Sequence, residues 1–426
     1  MTDRRGRRPA TLAVFAIILM LALTASALVG CGSGGKATPT PTKTPKPPAT
    51  NTPLPTETAT PVPPPTDTPI PPPPTQAPIV VATATETTVP PTFTVTLEPT
   101  PEPTPEQTGI PTLAPNACPL TGVEVDDIAK LERSPLAIKV SNAPSIVRPQ
   151  AGLDKADVVF EHMAEAQLTR FTAIFLSQDA DKVGSVRSAR MIDLEIPAMF
   201  KSLFAFSGAS GGVKLKIKES DFADRVLSPD PGFNDPGFKR APAEGKAFEH
   251  TLFTDTPALW DIATERGVNQ KRDLQGWAFS ATPPAGGQVA NELDVVYRAN
   301  VASAEYRYDA EDGAYMRYVL GDAHTDEITG EQLSAKNVIV LYANHVETDI
   351  VEDSTGAKPY YSIEIQLWGQ GPARILRDSQ MYDVTWSRPN RDDLIRFLDA
   401  SGNPFPMKPG NTWIQLVPLD FQIAAR

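Results

Sequence analysis

The chain has 426 residues, a formal net charge of -12 and 45 prolines, 25 of which fall between Lys36 and Ala117. An acidic chain gains nothing from the phosphate electrostatics that dominate nucleic-acid binding, which argues against DNA or RNA as a partner. It also argues against a broad electrostatic grip on anionic lipid.

The N-terminus is the most informative segment. Arg4, Arg5, Arg7 and Arg8 form a positive region, Leu12 to Ala27 is apolar, and small residues lead to Gly30-Cys31. That layout is a secretory signal. Its end, Leu28-Val29-Gly30-Cys31, resembles the lipobox of bacterial lipoproteins, which implies a signal peptide over 1–30 and a palmitate-type diacylglyceryl thioether on Cys31. The competing reading is an uncleaved membrane anchor, since the apolar run approaches the ~20 residues needed to span. Both readings place the rest of the chain outside the cell. With lipid on Cys31, Cys118 has no intrachain partner and is read as a small half-buried residue.

Residues 31–117 read as a disordered, proline-rich tether. Thr-Pro repeats such as Thr38-Pro39-Thr40-Pro41 and the run Pro71 to Pro74 favour polyproline II, with little apolar surface to bury. At ~3.1 Å per residue the tether reaches at most on the order of 250 Å. Its Ser/Thr-Pro composition also resembles glycosylated stalks.

Folded sequence begins near Cys118. Ala137–Val140, Asp157–Phe160, Phe171–Leu176 and Leu203–Phe206 read as strands. Met191–Leu203 has helical spacing, and Thr256–Arg266 reads as a helix with Pro257 at its start. The pattern predicts an α+β (or α/β) N-terminal domain over 118–280. A linker follows over 281–291, marked by Pro283-Pro284-Ala285-Gly286-Gly287. Residues 292–426 read as a mainly antiparallel β domain. It has a hairpin around Asp312-Gly313, strands near 338–342, 362–367, 373–376, 381–386 and 412–417, and turns at Gly369-Gln370-Gly371 and Ser401-Gly402-Asn403.

Candidate chemistry concentrates between Arg148 and Arg190. Ser188 is placed to cap a helix beginning at Ala189, and Arg187 and Arg190 are three residues apart. A helix start with guanidinium forks suits an anion. Arg170, Arg187, Ser188 and Arg190 are therefore the expected ligand-binding residues. The alternative is internal pairing of the three arginines with Glu161, Glu165 and Asp193. Glu161 and Glu165 are the candidate acid/base pair for hydrolysis or transfer on an envelope polymer, with His250 as the candidate catalytic histidine. Asp322, His324 and Asp326 alternate as metal ligands can, but the segment reads as a turn and no metal site is assigned. The loop Pro231-Gly232-Phe233 to Pro236-Gly237-Phe238 lacks a calcium-loop pattern and reads as a structural or contact loop. No cofactor is expected: the chain lacks a nucleotide-type Gly loop, a nucleophile elbow, Ser-x-x-Lys and His-Glu-x-x-His.

These segments resemble the YerB-like bacterial lipoproteins, built from paired N- and C-terminal domains of unknown function. The likeness lies in Pro119-Leu120-Thr121-Gly122, Ser141-Asn142, Arg148-Pro149-Gln150-Ala151-Gly152-Leu153, Glu161, Glu165, Thr169-Arg170-Phe171 and Val186-Arg187-Ser188-Ala189-Arg190. In the second half it lies in Tyr306-Arg307-Tyr308, Asp326, Asn337-Val338-Ile339-Val340 and Gly410-Asn411-Thr412-Trp413. Cys118 stands where the family usually has Asn, and Glu249-His250-Thr251 where it tends to show Pro-His-Asn. The resemblance implies an envelope lipoprotein and no established reaction. The expectation is a lipid-anchored protein on the outer face of the cytoplasmic membrane. It would bind an anionic cell-wall component or an envelope protein rather than catalyse. An envelope-polymer hydrolase or transferase and a structural spacer are the alternatives.

Overall fold

In the computed structural model the described residues are 113–354 and 358–426. The expected signal peptide, Cys31 and the tether as far as 112 lie outside them. The described residues all belong to the unit beginning at Thr96.

The first half supplies β1 (Leu136–Ser141), β2 (Val158–Met163), β3 (Thr169–Phe175), β4 (Val183–Gly184), β5 (Leu203–Ala205), β6 (Val226–Leu227), β7 (Phe238–Arg240) and β8 (Leu252–Thr254). It also supplies α1 (Ile196–Met199), α2 (Gly211–Lys218) and α3 (Thr256–Glu265). β1, β2 and β3 are buried along their whole length, the signature of strands covered on both faces. β1 pairs antiparallel with β3 and parallel with β5, and β5 pairs parallel with β6.

The two halves of the sequence share one twelve-stranded sheet. The strand Thr412–Pro418 lies between β2 and the strand Asn337–Asp353, parallel to both. Outward from there the strands Gly369–Arg377 and Gln380–Arg388 continue antiparallel. A second sheet of six strands is built around Glu292–Arg298, Ala302–Asp309 and Ala314–Val319. The C-terminal part is therefore mainly antiparallel, and the described residues are richer in strand than in helix.

Strand alternation divides the buried side chains between two cores. Val158 and Phe160 of β2 pack on one face with Ile174, Ile414 and Leu416. Val159 and Met163 pack on the other with Phe171, Trp413, Tyr306 and Tyr315.

Several elements differ from the sequence reading. Met191–Leu203 is a short 3-10 turn, Met191–Leu194, followed by the one-turn α1, because Pro197 interrupts the run. Gly369-Gln370-Gly371 opens a nine-residue strand instead of making a turn. The strand predicted near 338–342 runs on to Asp353, so its second half forms an arm paired with Tyr360–Gln366, with Ile350 packed against Gly212 of α2. Cys118 is wholly buried and free, and burial raises its thiol to about 12.

Candidate functional site

The predicted cluster separates into distinct networks on the two faces of the sheet. Glu161 belongs to the face of the six-stranded sheet. Its Oε2 accepts from Arg317 Nη2 at 2.8 Å, and its Oε1 accepts from Asn142 Nδ2 at 3.0 Å and Thr169 Oγ1 at 2.8 Å. Arg317 is wholly buried, its guanidinium carbon 4.7 Å from the Trp413 ring centroid and 5.5 Å from Phe171 and Tyr306. His324 is engaged through both nitrogens: Nδ1 accepts from Arg317 Nε at 3.0 Å, and Nε2 lies 2.6 Å from Gln150 Oε1. Asp326 caps the Leu153 and Ile328 amides. His324 and Asp326 therefore serve internal hydrogen-bond networks.

On the opposite face, the buried Lys139 Nζ touches Asp193 Oδ1 at 2.9 Å, Thr172 Oγ1 at 3.1 Å and His162 Nε2 at 2.6 Å. Burial lowers this lysine to about 8, against the pull of Asp193, and drives His162 well down as well. The sequence reading missed this group. Its one signal was a lysine inside the otherwise apolar run Ala137-Ile138-Lys139-Val140.

Beside Lys139 and Asp193 lies the Arg/Glu cluster. Glu165 holds two arginines. Arg190 grips it with Nε at 2.7 Å and Nη2 at 2.5 Å, and Arg170 Nη2 reaches the same carboxylate at 2.8 Å. The arginines hold Glu165 down at about 2 despite its desolvation. Arg190 Nη1 also lies 3.5 Å from Glu352 of the arm. Arg170 and Arg190 are thus paired internally, through Glu165 and Glu352 rather than Glu161. Asp193 instead pairs with Lys139 and accepts from the Arg190 amide at 2.7 Å. The 3-10 turn starts after Arg190, so Ser188 caps no helix. Its carbonyl accepts from Arg170 Nη1 at 2.8 Å.

Arg187 is different. Among the described residues no side chain makes an ion pair or hydrogen bond with its guanidinium, and Nε is buried without a partner. Desolvation lowers its pKa, and Glu249 is the largest opposing charge. Three further buried atoms without partners sit on this segment or on ones bonded to it: Ser185 Oγ, Ser210 Oγ and His250 Nδ1. The Arg187 carbonyl accepts from Ser207 N at 3.1 Å, and Val186 N donates to Leu252 O at 2.7 Å, next to the 3-10 turn Phe248–His250. His250 is 5% exposed, and burial followed by the Arg187 charge lowers its pKa.

The β5–α2 loop closes against this segment. Gly208 has φ +88°, and a Cβ there would lie 2.6 Å from Ser188 Oγ, so only glycine permits the approach. Ser210 is the N-cap of α2, yet its side chain makes no cap bond, which leaves first-turn amides without a side-chain acceptor. Gly212 allows Ile350 of the arm against the helix start: a Cβ would meet Ile350 Cγ2 at 2.8 Å. The structure therefore brings Arg187, Ser188, Arg190, Arg170, Glu165 and His250 into one electrostatic neighbourhood and leaves Glu161 on the other face. A groove of about 570 Å³ between Leu113, Arg133, Leu274 and Trp277 lies apart and holds none of the predicted residues.

The chain matches the N-terminal domain of a protein family of unknown function, DUF3048, over residues 120–269 and its C-terminal domain over 293–414. It is 32% identical over 302 residues to YerB of Bacillus subtilis (strain 168), a protein named as a candidate lipoprotein. That match covers 70% of this chain and 86% of YerB. The chain belongs to the YerB (DUF3048) family. The crystal structure of Bacillus subtilis YerB superposes with a TM-score of 0.60 at 29% identity, over 72% of this chain and 99% of that one. In this YerB-family chain the two matched segments are the ones that interleave in the twelve-stranded sheet.

Proposed function

We infer that this YerB-family chain is an extracytoplasmic lipoprotein, anchored through Cys31 and tethered over 31–117, whose folded part binds an anionic envelope ligand at Arg187 and Ser188. The anchor rests on the Arg-rich, apolar, small-Gly-Cys order of residues 4–31 and on the name of its Bacillus relative. One observation carries the binding reading: a partly buried guanidinium with no counter-charge paired to it. Arg170 and Arg190 are each paired with a carboxylate, whereas the Arg187 guanidinium has none bonded to it, which leaves its donors available to an anionic group. Beside it, Arg170, locked with Arg190 on Glu165, holds the Ser188 carbonyl in position, and Arg190 holds that of Ala189.

Hydrolysis by Glu161 and Glu165 finds less support. The two carboxylates serve networks on opposite sheet faces, and Glu165 at about 2 is a poor proton donor near neutrality. Calorimetry on the detergent-solubilised full chain with glycerol 3-phosphate tests the binding reading. Arg187→Ala should weaken binding at least about tenfold, whereas equal binding by both forms, or by neither, rules it out.

A further inference from the structure

The described chain begins in the wall of the groove that lies apart from the arginine cluster. Leu113 and Pro115 belong to that wall, and Leu131, Leu176, Leu274 and Trp277 form the apolar part of the groove. The same groove of about 570 Å³ carries three cations, Arg133, Lys271 and Arg272, against one carboxylate, Asp273. Arg133 is committed: its guanidinium carbon lies 3.3 Å from the Trp260 ring centroid, and Nη1 pairs with Asp179 at 2.7 Å. Lys271 pairs with Glu132, but both side chains are more than half exposed, so the pair is weak and exchangeable. Arg272 donates Nε to Ser134 Oγ at 3.2 Å and Nη2 to the Val268 carbonyl at 3.1 Å, and among the described residues no carboxylate is bonded to it. The groove is thus apolar and positive, on a chain whose net charge is -12.

The sequence just ahead of Leu113 has the matching chemistry. Between Leu97 and Leu113 the one large aliphatic residue is Ile110, in Gly109-Ile110-Pro111. Three residues span at most about 11 Å, so Ile110 stays beside the groove in any conformation. Glu98, Glu102 and Glu106 place an acid at every fourth position, and no basic residue occurs between Lys46 and Lys130. Glu106 lies within about 25 Å of Leu113, which lets its carboxylate come to Arg272 on the same groove. Attachment at the groove wall gives this segment an effective concentration on the order of millimolar, so even a weak fit is populated. Pro105 and Pro111 reduce the backbone freedom lost on seating. A ligand from outside has neither advantage.

We propose that this groove is an intramolecular dock for residues 106–112 of the same chain, with Ile110 on Leu274 and Trp277 and Glu106 on Arg272. The dock shields the last stretch of the tether and closes the groove to outside ligands. A glutamate-specific protease acting on the detergent-solubilised full chain tests it. Proline after Glu98 and Glu102 blocks cutting there, whereas Glu106-Gln107 is a cleavable bond and Glu86-Thr87 is an internal reference outside the dock. Cleavage tracks the population of the open form, so Ile110→Ser should speed the cut after Glu106 about tenfold and Arg272→Ala about threefold. The cut after Glu86 should not change. Ile110→Ser alters no residue of the folded core, so a folding defect cannot produce its effect. The same rate after Glu106 in the wild type and in Ile110→Ser overturns the proposal, whatever Arg272→Ala does. Protection that fades on dilution assigns the seat to a second copy's segment and overturns it as well; protection independent of protein concentration supports it.

Discussion

Arg317 and Glu161, 156 residues apart in sequence, form a 2.8 Å ion pair with both side chains wholly inaccessible to solvent. Arg317 comes from the strand Ala314–Val319 of the six-stranded sheet, and Glu161 from β2 in the centre of the large one. The pair therefore fastens the two family segments across their shared core. Breaking one side of a buried pair strands a charge and costs about 3–5 kcal/mol. Arg317→Met should lower stability by about that amount, and Glu161→Gln should destabilise in the same direction. Denaturant unfolding checks both. Unchanged midpoints would mean that water or a neighbour compensates the lost charge.

Much of this architecture was legible in the chain. The strands near 137, 158, 171 and 203 show as apolar runs, and Asp255 caps α3 where the Pro257 signal placed a helix start. The hairpin turn at Asp312-Gly313 connects strands in register Asp309 to Ala314. The shared sheet was not legible, because parallel pairing of 412–418 with β2 spans some 250 residues and leaves no local trace. Partner choice failed for the same reason. Glu165 as the arginine partner is near in sequence and was anticipated. Glu161 bonds Arg317, and Asp193 bonds Lys139 from within a core, where sequence order carries no information.

The Glu165 clamp predicts an acid sensitivity. Its folded-state value near 2 lies below its unfolded value of 4.5. The clamp's stabilisation is full above about pH 4.5 and is lost as pH falls toward 2, an effect on the order of 3 kcal/mol. Glu165→Gln should therefore be less stable than wild type at pH 7, with the gap closing by about pH 2. A gap independent of pH would assign the difference to packing.

His250 reports on Arg187. Burial and then the Arg187 charge lower its pKa, so Arg187→Ala should raise it part of the way back, as should an anion seated on Arg187. Proton NMR titration of the imidazole reads this directly, and a fall would contradict the proximity.

The anchor has its own test. Palmitate labelling in a bacterial host should mark the wild-type chain, and Cys31→Ala should abolish the label and release the protein from the membrane fraction. Labelling that persists in the variant would place the lipid elsewhere.

The central claim is that Arg187, rather than the paired Arg170 and Arg190, meets the anion. Crystals of the folded chain soaked in selenate test it most directly, because anomalous scattering locates the ion without reference to the protein. The account predicts a selenium peak about 4 Å from the Arg187 guanidinium nitrogens and Ser188 Oγ, with selenate oxygens accepting from both and the Glu165 clamp intact. A peak elsewhere with Arg187 bare, or one that displaces Glu165 from Arg170 and Arg190, would contradict it.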